Sequence, residues 1–519
     1  MTDQFPADGG GRPADTGVSA DAGADALLRV DTEAATLKRR SVHGAAATLA
    51  SQAVRFSFQI AAQVVLAHLV TPGDFGLVAM VTPLVGLVQL INDLGLLEAT
   101  IQRPRISHRE LSVLFWISVA ISALFAALFA IASPLVVWLY GDPRAAGVTL
   151  CFAGLILLSG LSAQQMALMN RRMQFMHLAA IDVGATAVSS AVGVVAAMLG
   201  CGYWSLVFMQ AANSVTLLVM AWSFSRWRPS RPRWEAGIGS LLGFGGNITG
   251  ANVLNYLAHN LDNVLIGATA GSGSLGLYDR AYRLMLLPIT QVTTPFSRIA
   301  VPLLSRLVDS PDRYRAAFAR MLQAALLMTT PGIVFAVVAA DSLVPCLLGT
   351  SWRAAAPIFA WLGGGTLALP LLASTTWLLI SQGRARQQFV WGSTGSGLIV
   401  ISFLVGLPWG PVGVAKASTL FVVLLQLPIL CWAATREGPV GPRALARIIA
   451  PFAAAGLCDA VVLLGLQQVL LVPGLGELMG LALLSYVING GVLACLPAGR
   501  TVLRDAWSLR GSFFREATP

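Results

Sequence analysis

The chain has 519 residues, of which 56% are hydrophobic and 11% charged, with a mean hydropathy of +0.73. A soluble domain carries about 25% charged residues. This chain has too little polar surface to dissolve and reads as an all-α, polytopic membrane protein. The net charge of +10 needs no nucleic acid to explain it, because Lys and Arg beside membrane spans set topology next to anionic lipid.

Residues 1–37 are rich in Ala, Gly and Asp and have no apolar run. They read as a disordered cytoplasmic tail rather than a signal peptide. A helix needs roughly 20 apolar residues to cross the hydrocarbon, and about fourteen segments qualify. The first six are 45–69, 75–97, 113–138, 148–168, 177–199 and 203–224. The next six are 241–268, 276–302, 318–340, 355–380, 389–407 and 411–434, and the last two are 448–471 and 476–496. Basic residues follow the even-numbered spans: Arg103 and Arg105, Arg171 and Arg172, Arg226 and Arg228, Arg306 and Arg313, Arg384 and Arg386, Arg436 and Arg443, Arg500 and Arg504. The odd-numbered loops hold only Arg144 and Arg353. By the positive-inside rule both termini are cytoplasmic.

The apolar part is written twice. Shifted by two hundred positions, Gln52, Arg55, Gln59 and Gln63 fall on Asn252, Asn255, His259 and Asn263, and Phe75-Gly76-Leu77 falls on Leu275-Gly276-Leu277. Residues 139–146 echo 347–355, and 171–175 echo 384–389. Internal duplication in an apolar chain marks a transporter of two related bundles with the site between them. The expected organisation is a six-helix bundle over 38–240, a pseudo-symmetric second one over 241–435, two further helices over 436–496 and a cytoplasmic tail over 497–519.

No phosphate-binding Gly-rich loop is present, the six cysteines are scattered singly, and the five histidines form no metal cluster in sequence. No cofactor or metal is called for. The odd-numbered loops are a few residues long and give an active site little protein to stand on, so the chain is not read as an enzyme.

Polar residues inside spans are the candidate site. A charge at the helix centre costs roughly 2.5–3.5 kcal/mol on insertion scales, so such residues face a cavity or a partner. Arg55, Gln59 and Gln63 form one stripe on the first span. Asn252, Asn255, His259, Asp262 and Asn263 form another on the seventh. The eighth carries Arg280, Gln291 and Arg298 on one face, Arg283 a turn from Arg280, and Pro288, Pro295 and Pro302, which bend a helix and free its carbonyls. Asp182 and Lys416 are further candidates, and Asp459 is read as structural or lipid-side. More Arg than Asp in a cavity suits an anion, since guanidinium binds phosphate bidentately and keeps its proton.

Several stretches carry a resemblance: Leu66 to Met80, Asp93-Leu94-Gly95-Leu96, Ile101-Gln102-Arg103, Asn260 to Gly267, and Gly276 to Leu284. Together they resemble the Wzx-type polysaccharide flippases of the multidrug/oligosaccharidyl-lipid/polysaccharide superfamily, over roughly residues 38–435. The resemblance implies transport of undecaprenyl-diphosphate-linked oligosaccharide units across a bacterial inner membrane, for exopolysaccharide or lipopolysaccharide synthesis. Arg55, Arg280 and Arg283 would then grip the diphosphate by alternating access, and Asn252, Asn255, His259 and Asn263 would meet sugar hydroxyls. A proton or sodium ion is a further candidate partner, with Asp262 as its site, as are a polysaccharide polymerase and assembly enzymes. The alternatives are a multidrug or cation exporter of the same superfamily, and a membrane polymerase or scaffold.

Overall fold

The computed structural model describes residues 34–93, 107–231, 238–467, 474–497, 499–500 and 504, without the side chains of 34–50, 91–93, 238–252, 254 and 255. Most of both expected tails, with Arg103 and Arg105, lies outside the described residues. Among those described, every regular element is helical.

The first half runs α1 (Ala34–Leu69), α2 (Pro72–Asp93), α3 (His108–Ile131), the short α4 (Ser133–Tyr140), α5 (Arg144–Arg171), α6 (Phe175–Met198) and α7 (Trp204–Ser225). The second opens with α8 (Ile238–Ser305), whose 68 residues fold into two arms at Gly271 (φ 77°). Then come α9 (Pro311–Val338), the short α10 (Ala340–Leu348), a 3-10 turn (Thr350–Ala355), α11 (Ala356–Thr366) and α12 (Leu369–Ser381). They are followed by α13 (Ala385–Gly406), α14 (Gly410–Phe421), a π-helical turn (Val422–Gln426), α15 (Leu427–Thr435), α16 (Pro442–Gln467) and α17 (Leu475–Cys495).

Ten helical stretches are long and apolar enough to cross a membrane. One of them, Ala385–Thr435, has 51 residues and suffices for two crossings. With α1 and the two arms of α8, the described residues supply the fourteen spans expected. The chain is a multi-pass membrane protein.

Local chemistry sets the boundaries. Thr71 caps α2: its Oγ1 accepts from the Asp74 amide and donates to Asp74 Oδ2, and Pro72 occupies the first turn, where a missing N–H costs nothing. Ser107 and Glu110 form a reciprocal capping box on α3. The expected third span, 113–138, is two helices broken at Ala132, and the ninth is likewise broken at Ala339. Each break leads into a short helix ended by a left-handed glycine, Gly141 (φ 67°) or Gly349 (φ 100°). The same succession therefore recurs at the positions whose sequences echo.

The third echo is out of register. Left-handed turns occur at Met173 (φ 54°) and Gly383 (φ 72°), with the same crossed backbone hydrogen bonds around each. Structurally, Arg171-Arg172 matches Ser381-Gln382, not Arg384. Charge guided the sequence match, whereas the crossed hydrogen bonds mark the turn, with glycine at the left-handed position in the second and methionine in the first.

The main core joins the halves. Leu66, Leu77, Met80 and Val81 of the first are buried together with Ile266, Leu275, Tyr278 and Ala281 of α8. Helix α8 stays helical through Pro288, Pro295 and Pro302.

Candidate functional site

We call the end where α1 begins the terminal end, and the end of the α1–α2 turn the distal end. The distal end is closed. A Cβ on Gly76 would lie 1.6 Å from the Ser272 carbonyl oxygen, and one on Gly276 would lie 1.8 Å from that of Pro72. Here two backbones touch, which is why both positions are glycine. Beside them Trp352, fully buried, donates Nε1–H to the Ala67 carbonyl at 2.8 Å and packs edge-on against Phe75. The Arg280 guanidinium lies 4.1 Å from the centre of the other ring in that stack, Phe75.

Below this seal the polar stripe of α1 is open. Gln52 and Gln59 are exposed, and Arg55 and Gln63 are half-buried. Arg55 reaches Asp182 of α6 at 3.6 Å, with 42% of each side chain exposed. Gln52 donates to Gln291 of α8 at 3.4 Å. At 1.5 Å per residue Arg55 lies about 21 Å below Leu69 and Arg283 about 18 Å below Gly271, so the two sit at similar depth.

On α8, Asp279 was not singled out from the sequence and proves central. It is buried, with 4% of its side chain exposed; it accepts from Arg283 Nε through both oxygens at 2.8 and 2.9 Å and lies 3.7 Å from Arg280 Nε. The four-residue spacing of Asp279 and Arg283 was the available signal. Arg283 remains 45% exposed while Arg280 is 16% exposed. Thus the expected surplus of Arg is smaller than the sequence suggests. Arg55 has Asp182, and the Asp279 group keeps a single spare positive charge.

The stripe on the first arm of α8 is not one surface. Asp262 is buried at 3% exposure, where it accepts from the Tyr278 hydroxyl at 2.9 Å and from the Asn263 amide at 2.8 Å. With His259, Tyr278, Tyr282, Thr419 and Gln426 it lines a cavity of about 180 Å³ within the second half. His259 is exposed and Asn263 half-buried. Asn252 and Asn255 lie outside the residues whose side chains are described. Gln426, on the π-helical turn, presents a buried Oε1 with no hydrogen-bond partner. Tyr278 and Tyr282 were missed because aromatic residues in an apolar helix look like core; Gln426, an amide inside the expected span 411–434, carried the same signal as Gln59 and Gln63 and was passed over.

The remaining candidates lie apart. Arg298 is exposed on α8, and Lys416 lies 5.5 Å over the Trp361 ring. Asp459 is not lipid-side: it is fully buried against α17.

A transmembrane, all-helical body with a closed distal end and a polar cleft defines a membrane protein built to handle a polar solute. Residues 65–357 match the family described as polysaccharide biosynthesis protein, and the chain belongs to it. It is 23% identical over 400 residues to the lipopolysaccharide biosynthesis protein WzxC of Escherichia coli, covering 76% of this chain and 80% of that one. It is 24% identical to the teichuronic acid biosynthesis protein TuaB of Bacillus subtilis, covering 59% and 64% respectively. The fold matches the lipid II flippase MurJ in an inward closed conformation, with a TM-score of 0.66 and 14% identity over 87% of this chain and 99% of that one.

Proposed function

We propose that this protein is a flippase that carries a lipid-linked oligosaccharide, held by its diphosphate, from the cytoplasmic to the outer leaflet. The observation that carries the reading is Arg55: a guanidinium 42% exposed within a membrane-spanning helix, with a second half-exposed Arg, Arg283 of α8, at similar depth. Exposed charge at that depth needs water or a polar solute. Arg283, with Arg280 sharing its one carboxylate, supplies the spare positive charge, and phosphate can displace Asp182 from the open pair with Arg55. His259, Gln59 and Gln63, each at least partly exposed, meet the sugar hydroxyls in this reading.

The two halves, about 38–240 and 241–435, rock against each other, and the distal seal is the contact that parts. The Arg-rich terminal end faces the cytoplasm, and with it both chain termini. Moving negative charge outward from a negative interior gains about 2.3 kcal/mol per charge per 100 mV. Asp262 serves as the coupling site for a proton or sodium ion, because it is a buried acid on the wall of a partly open cavity.

The test is the lipid-linked glycan pool of a strain lacking the gene, resolved by leaflet. The expected result is loss of surface polysaccharide with diphosphate-linked units accumulating on the cytoplasmic leaflet. Units that reach the outer leaflet unpolymerised would overturn the reading in favour of a polymerase or its scaffold.

A further inference from the structure

A second buried acid lies outside the cleft, where α16 and α17 meet α9. Asp459, Ser485 and Asn489 are 0–1% exposed. The Ser485 hydroxyl lies 2.5 Å from Asp459 Oδ2 and 2.9 Å from the Pro331 carbonyl oxygen of α9. Asn489 Nδ2 donates to Asp459 Oδ2 at 2.8 Å and to the Ser485 carbonyl at 3.1 Å. Two further oxygens, Asp459 Oδ1 and Asn489 Oδ1, are buried and have no hydrogen-bond partner among the described residues.

The hydrogens do not suffice. Ser485 Oγ has one hydrogen and two neighbouring oxygens, and a carbonyl oxygen can only accept. Both amide hydrogens of Asn489 are already engaged. If Asp459 is a carboxylate, one of the Ser485 contacts is oxygen against oxygen with nothing between. One added proton on Oδ2 resolves it: Asp459 O–H donates to Ser485 Oγ, and Ser485 O–H donates to Pro331 O. Among the described residues no basic side chain pairs with Asp459. The charged groups on the packed helices are Asp312, Arg313, Arg315 and Arg320 of α9 and Glu477 of α17. Each lies at least eight residues along its helix from the cluster, about 12 Å or more. On α16 itself, Arg447 lies twelve residues before Asp459. The nearer ionisable groups turn elsewhere: Cys458 is exposed, and the Tyr486 hydroxyl donates to the Met328 carbonyl.

We propose that Asp459, Ser485 and Pro331 form a proton-binding relay that fastens the last two spans to α9. A carboxylate there would sit unpaired at membrane depth and drive α17 from the Pro331 carbonyl, so docking of α16 and α17 depends on the resident proton. The proposal is independent of what the cleft carries, and its test reads no transport.

The full chain is purified in nanodiscs and examined by infrared difference spectroscopy at neutral pH. A protonated carboxyl band present in wild type and absent from Asp459→Asn is expected. Asp459→Asn, a neutral near-isostere, should lose less thermal stability than Asp459→Ala and show no pH dependence at this site. Wild-type Tm should fall with rising pH as the band disappears. Replacing choline chloride by sodium chloride should change nothing. No band in wild type would overturn the proposal. So would sodium stabilisation that Asp459→Asn abolishes, since the cation would then be a metal ion bound to a carboxylate.

Discussion

The stripe on α1 and the stripe on the first arm of α8 have the same helical spacing and opposite environments. Arg55 stands half-exposed beside a half-exposed Asp182, 3.6 Å away. Asp262 is 3% exposed and hydrogen-bonded to Tyr278. Helical period decides which residues share a face. It does not decide what that face meets. On α1 the neighbours Asp182 and Gln291 are themselves polar and leave room for water. Around Asp262, Tyr278 and Tyr282 lie with ring centres 6.4 Å apart and shield it on one side, with a cavity of about 180 Å³ on the other. An open charge suits binding and release of a solute, whereas an enclosed acid suits a small ion that alters the packing around it.

The severest way to break this contrast is to keep the distal end from closing. In Gly276→Val the new side chain meets the Pro72 carbonyl, with the first added carbon at 1.8 Å. Overpacking costs about 1–3 kcal/mol, and against rigid backbone it falls at the upper end. A variant that inserts normally should show no transport, and cysteines placed near the distal turn should become labelled by impermeant thiol reagents. Unchanged labelling with full transport would sink the role of the seal. Next in size, Arg55→Ala removes a charge-assisted contact of about 1.5–3 kcal/mol, so transport should fall about 10- to 100-fold at equal expression. It also leaves Asp182 unpaired in an anion path, so adding Asp182→Asn should recover part of the loss. If the double variant is no better than the single one, Asp182 does not face the substrate.

Asp262→Asn should act differently and less. It keeps the shape of the site and the contact with Tyr278 while removing the titrating group. Transport driven by an imposed proton or sodium gradient should lose its dependence on that gradient, while substrate exchange without a gradient persists within about threefold (under ~1 kcal/mol). Equal loss of both would place Asp262 in structure rather than coupling.

Much of this architecture was legible because it rests on length, apolarity and spacing. The fourteen spans emerge near their expected bounds, and the glycine pair Gly76 and Gly276, aligned by the duplication, forms the distal seal. What was not legible depends on partners distant in sequence. The spacing of Asp279 and Arg283 was a local signal, but nothing near them says that Phe75, about two hundred residues away, covers Arg280. The Arg surplus counted along the chain shrank because guanidinium groups found carboxylates on their own helix and on α6. Asp459 was left between a structural and a lipid-side reading because its partners, Ser485 and Asn489, belong to another span.

The smallest effect belongs to the distal turns that the echo also relates. After Gly349 the chain buries Trp352 in the seal; after Gly141 it leaves Arg144 half-exposed over a mostly covered Asp142. Arg144 holds Asp142 through paired bonds at 2.8 and 3.1 Å. That side-chain hydrogen bond, helped by the Arg144 amide and charge and opposed by burial, keeps the Asp142 carboxyl below its ordinary value. A depressed carboxyl contributes stability above the unfolded value of about 3.9 and loses it as pH falls through the folded value. With Arg144 half-exposed, the contribution is about 0–1 kcal/mol. Asp142→Asn should therefore lower Tm slightly at about pH 7, and the gap from wild type should narrow as pH falls below the unfolded value and close once it passes the lower, folded one. A gap that persists in acid would mean that Asp142 stabilises the turn through its backbone bond to the Arg144 amide rather than through charge.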